Sequence, residues 1–159
     1  MKSLLAPCRV SLLVLLFLSA TVGHAQVTDE SPLVAGLGKR LNNFFDDVIK
    51  RRTPEAYGDL LAGSQLAKLD RQPQREQLIK KTVELETIYG RPRSYERFDA
   101  RRIGADLVLF RYLYKCEDYP VVWHIAFYRD VRGAETPNAL DEWRVISVKF
   151  DTDLEALTR

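Results

Sequence analysis

The chain has 159 residues, with 24 basic and 22 acidic side chains. Lys2 and Arg9 fall in an N-terminal leader, so the remainder carries 22 basic against 22 acidic residues. That even balance excludes the strongly basic field that would draw nucleic acid or anionic lipid, and the length suits one domain with one core.

In chain order, Lys2 and Arg9 give a positive start, and Val10 to Val22 is an apolar run broken only by Ser11, Ser19 and Thr21. Gly23-His24-Ala25 then places small residues where a signal peptidase needs them. Residues 1–25 read as a secretory signal peptide, 26–32 as a short polar lead and 33–159 as a single domain. A spanning helix needs about 20 apolar residues, and this core is shorter. The mature protein is expected to be exported, periplasmic or extracellular, with no membrane attachment after cleavage. Cys8 leaves with the leader, so Cys116 is the remaining thiol and an internal disulfide is impossible. Its plain reading is a small buried hydrophobe; its sharper readings are an intermolecular disulfide or a nucleophile.

Ser31 and Pro32 are a capping residue and a first-turn proline. Leu33, Leu37, Leu41, Phe44, Phe45 and Val48 then recur at helical spacing, predicting a helix to about Lys50. Thr53-Pro54-Glu55 repeats the cap-and-proline signal for a shorter helix that buries Tyr57, Leu60 and Leu61 and stops at Gly63. Ser64 to Asp70 reads as one more helical turn. Leu78, Ile79, Leu85, Ile88 and Tyr89 mark a third helix from about Gln74, closed by Gly90 and Pro92.

After Pro92 the period becomes two. Tyr95–Arg102, Leu107–Cys116, Val121–Arg129 and Trp143–Phe150 are predicted strands, with a longer loop over 132–141 and a final helical turn capped by Asp153. Helices first and an antiparallel sheet second is the α+β class.

If Glu117 to Pro120 form a four-residue hairpin loop, Cys116 pairs with Val121. Tyr114 then lies opposite Trp123, Tyr112 opposite Ile125 and Phe110 opposite Phe127, all on a face that packs beneath the helices. The other face pairs Leu113 with His124, Arg111 with Ala126 and Leu109 with Tyr128. The inner side chains Tyr112, Tyr114 and Trp123 are the candidate lining of a ligand cavity. Leu109, Arg111, Leu113, Val122, His124 and Tyr128 are the candidate interface of a homodimer formed sheet on sheet.

The chain has no Gly-rich phosphate loop, zinc spacing, calcium loop or nucleophile elbow. No cofactor, metal or catalytic residue is indicated. His124 has two readings, a general base in a pocket or a polar residue on the outer sheet face. Asp99 and Arg111 can be read as an acid–base couple or as paired strand charges.

A long amphipathic helix, two shorter helical pieces ending in Ile88-Tyr89-Gly90, and a sheet closing on Glu142-Trp143-Arg144-Val145-Ile146 resemble the cone-shaped domains typified by nuclear transport factor two, which include ketosteroid isomerases, scytalone dehydratase and SnoaL-type cyclases. The resemblance spans nearly all of 33–157. It implies a pocket between helices and a curved sheet of about four strands, and dimerisation through the outer sheet face. The superfamily's enzymes place an Asp, His or Tyr inside the cone, and the inner face deduced here supplies tyrosines and Trp123 with no inward Asp or His. The expected function is an exported, non-catalytic binding or accessory domain with a small, mainly apolar cavity and a small apolar ligand. The alternatives are an enzyme of isomerase, dehydratase or cyclase type, and a protein-interaction domain whose cone is filled by its own side chains.

Overall fold

The computed structural model describes residues 31–68, 71–130 and 140–155. Residues 1–25, expected to be a signal peptide, and most of the 132–141 loop lie outside the described residues. Three helices precede a four-stranded antiparallel sheet of order β1-β2-β3-β4, an open α+β arrangement.

Helix α1 spans Pro32–Ile49, and Ser31 caps it by accepting the Val34 N–H at 3.4 Å. The whole predicted stripe from Leu33 to Val48 is buried. Helix α2 spans Thr53–Leu60. Thr53 is its first helical residue and is buried; Arg52 stands at the cap position without a side-chain cap bond. Arg40 ties the layers together, donating to the carbonyls of Trp143 at 2.9 Å and Leu60 at 3.4 Å and lying 5.3 Å from the Phe127 ring centre. Of the stretch from Ser64 to Asp70, residues 69–70 lie outside the described residues, and Gln65–Ala67 forms a 3-10 turn.

Helix α3 spans Gln72–Tyr89 and packs chiefly on α2 and that turn. Its buried side is Thr82 and Leu85 with half-buried Leu78, Ile79 and Tyr89. Ile88, assigned to the buried side by its spacing, is 61% exposed. Thr82 takes an inward place because its hydroxyl is satisfied there: it donates to the Leu78 carbonyl at 2.8 Å and so accepts from the Tyr57 hydroxyl at 2.9 Å. Gly90, at φ 80°, ends the helix; a Cβ there would come within 2.8 Å of Asp118 Oδ2.

The strands are β1 (Pro92–Ile103), β2 (Leu107–Cys116), β3 (Val121–Arg129) and β4 (Trp143–Asp151). The β2–β3 register differs from expectation by two residues. Tyr114 pairs with Val121, Tyr112 with Trp123, Phe110 with Ile125 and Arg111 with His124. Cys116 pairs instead with Pro92 on β1. The end of β2 is held by the connection before β1, because Glu117 N–H donates to the Arg91 carbonyl and Asp118 N–H to the Tyr89 carbonyl, each at 3.0 Å. Pro120 has no N–H to extend the ladder to β3. A shift of two leaves every side chain on its expected face while changing every cross-strand neighbour. Asp153 accepts the Glu155 N–H at 3.1 Å, the cap expected of it.

Candidate functional site

On the inner face, β2 and β3 turn Val108, Phe110, Tyr112, Tyr114, Trp123, Ile125 and Phe127 toward the helices, all buried. Phe45 of α1 sits at the centre, its ring 4.8 Å from Tyr112, 5.4 Å from Trp123 and 5.8 Å from Tyr114. Phe150 closes on Trp123 at 4.5 Å. The space between α1 and the middle of the sheet is thus filled by aromatic contacts at ordinary packing distances.

The three side chains expected to line one cavity are neighbours, but they border different spaces. The Tyr112 hydroxyl reaches a polar hollow along α1 and β1 and is engaged there, donating to Asn42 Oδ1 at 3.1 Å. Trp123 is enclosed by Phe44, Phe45, Tyr114 and Phe150. Tyr114 borders a separate hollow of about 160 Å³ where the ends of α1 and β2 meet α2 and α3. Val48, Pro54, Val83, Leu85 and Pro92 make its apolar wall, and Thr53, Thr82, Glu86 and Arg51 its polar part. Arg51, at φ 62°, reaches over to Glu86 with Nη2–Oε1 at 2.5 Å. Burial, and then the nearby Cys116 and Glu86, push the Tyr114 hydroxyl well above the usual tyrosine range, so it is a neutral donor. Spacing placed Tyr114 on the inner sheet face and Val48 and Leu85 on inward helix stripes, but not their meeting with Thr82 at one hollow, which depends on where three helices end.

Cys116 is half-buried and unbonded to any cysteine among the described residues. Burial, then Asp118 and Glu86, raise its thiol pKa, which opposes nucleophilic use.

The larger hollow, about 540 Å³, is on the opposite face of the sheet. The registers align Asp99, Arg111, His124 and Lys149 in one row across all four strands, with Arg101, Leu109, Ala126 and Ser147 in the next. Asp99 Oδ2 accepts from both Nε and Nη2 of Arg111 at 2.9 Å, and this pair is mostly buried. Phe98, set beside Asp99 by a bulge in β1, covers the Arg111 guanidinium at 5.0 Å from its ring centre. His124 Nε2 is 3.7 Å from Asp151 Oδ2.

Of the side chains expected at a dimer interface, Leu109, Arg111 and His124 line this hollow. Leu113 and Val122 pair beyond one end of the row, and Tyr128 pairs with Leu107 beyond the other. Val122 and Ala126 are buried within the chain, so the outer face is not the continuous apolar patch its sequence suggests. His124 lies beside Arg111, where the shorter loop would have put Leu113. Among the described residues no group of three or more His, Cys, Asp or Glu side chains could hold a metal ion.

No protein-family model matches the chain, and neither a curated protein nor a solved structure matches it.

Proposed function

We propose that the domain is an exported, non-catalytic binding module whose ligand is a small, largely apolar molecule held in the hollow at Tyr114. The observation that carries this reading is an apolar-walled space of about 160 Å³ with an unspent hydroxyl at its edge. An apolar cavity of roughly that size takes a guest as large as a benzene ring. Tyr114 makes no hydrogen bond among the described residues and would supply the single polar handle. The one carboxylate in the wall, Glu86, is engaged by Arg51, which favours holding a ligand over proton transfer. The helices-then-meander layout supports membership of the nuclear transport factor two-like superfamily as part of the same proposal.

A second reading, a protein-interaction domain, is favoured by the filled space between α1 and the sheet. One experiment separates the two. Phenol and benzyl alcohol should raise the melting temperature of the wild-type protein and do nothing for Val83→Trp, which fills the hollow from its exposed rim. Tyr114→Phe should weaken the effect without abolishing it. If neither compound stabilises the wild type, or Val83→Trp responds equally, the ligand reading fails and the interaction reading is preferred.

A further inference from the structure

We infer that the outer sheet hollow is a second binding site, specific for an organic anion with an apolar body, such as an aryl or alkyl carboxylate or sulfonate. Its charges do not cancel. Its walls carry three cations, Arg101, Arg111 and Lys149, against two carboxylates, Asp99 and Asp151. Asp99 is held by Arg111, whereas Arg101 and Lys149 form no ion pair among the described residues. These two stand on opposite edge strands, three strand spacings apart, about 14 Å. Between them Leu109 and Ala126 give an apolar strip of floor beside Arg111 and His124, so apolar surface is bracketed by cations. A cation would meet net positive charge, and an uncharged molecule would leave both ammonium and guanidinium without a partner. An anionic head at Lys149, with the Ser147 hydroxyl on the same strand, lets an apolar body lie across the floor toward Arg101. Arg111 is fixed by Asp99 and capped by Phe98, so it forms a rigid wall of the hollow. The volume of about 540 Å³ fits the range of small-molecule sites. This site lies on the far face of the sheet from the Tyr114 hollow and stands independently of it.

The probe pair is 1-anilinonaphthalene-8-sulfonate and N-phenyl-1-naphthylamine, the same aromatic body with and without the sulfonate. Fluorescence titration of the folded mature protein should give one saturable sulfonate site per chain. The uncharged probe should bind at least about tenfold more weakly. Sulfonate affinity should fall as salt is raised. The Arg101→Gln, Lys149→Gln double variant should bind both probes alike, and Val83→Trp should bind the sulfonate as wild type does. Equal binding of the two probes by wild type, or undiminished sulfonate binding by the double variant, overturns the proposal. Exclusion of the sulfonate by a wild-type dimer also overturns it, because the face then belongs to a second copy.

Discussion

Asp99 and Arg111 face each other across β1 and β2 with little water around either. Their sequence spacing suggests two ordinary strand charges. The bulge at Phe98 changes that, because it rotates an aromatic ring over the guanidinium and closes the pair from solvent. Removing one partner leaves the other charge with little water around it, which costs about 3–5 kcal/mol in such settings. Urea unfolding should therefore show Asp99→Ala strongly destabilised, and Asp99→Leu, Arg111→Met restored most of the way to wild type. A pair worth no more than an exposed one would leave Asp99→Ala within about 1 kcal/mol of wild type. The bulge was not legible beforehand: nothing in Arg97-Phe98-Asp99 departs from alternation, and the extra residue appears only when β1 is aligned with β2. His124 shows the same limit. Its face follows from period two, but its neighbour depends on a loop length that Glu117 to Pro120 do not fix.

At the level of elements, α1 was the most legible, because a cap, a proline and six apolar positions agree on one boundary and one buried side. Helix α3 was the least legible. Its inward stripe includes Thr82, a polar residue made acceptable by Tyr57, while apolar Ile88 faces outward. Helix α1 is also joined to the sheet by two tyrosine hydroxyls. Tyr112 donates to Asn42 and Tyr95 to Asp46, the latter at 2.8 Å. Burial raises both, each to about 12, with the Asp46 bond and charge adding to the shift at Tyr95. A raised folded-state value means that the folded protein holds these protons more tightly than the unfolded chain does. The associated stability is fully present below the ordinary tyrosine value of 10.0 and is lost as pH climbs toward about 12. Denaturant midpoints followed by circular dichroism should fall across that interval. The Tyr95→Phe, Tyr112→Phe double variant should lose stability less steeply there, and an identical slope would show that these hydroxyls do not govern the alkaline limit.

For the whole molecule, one part of the outer sheet face remains apolar and open. Ile103 and Tyr128 are each 46% exposed, and they lie with half-buried Leu107 in the row furthest from Leu113 and Val122. Ile146, the extra residue of the β4 bulge, is 47% exposed. A second copy placed over this end by a twofold axis would bury these side chains against their equivalents. Tyr128 and His124 are four residues apart on β3, about 13 Å at the rise of a strand. A contact confined to this end therefore leaves the charged row and its hollow accessible, so self-association and anion binding can coexist. The dimer proposed here is smaller than one covering the full face, and it should be correspondingly weak, persisting at roughly tens of micromolar and dissociating on dilution. Sedimentation velocity of residues 26–159 over that range should show a concentration-dependent shift from monomer to dimer. Ile103→Asp, Tyr128→Asp should sediment as a monomer throughout and still bind 1-anilinonaphthalene-8-sulfonate. A wild-type protein that stays monomeric disposes of the dimer. Dimerisation that survives the double substitution places the contact elsewhere on the molecule, and exposed Val83 and Ile88 of α3 are then the next surface to alter.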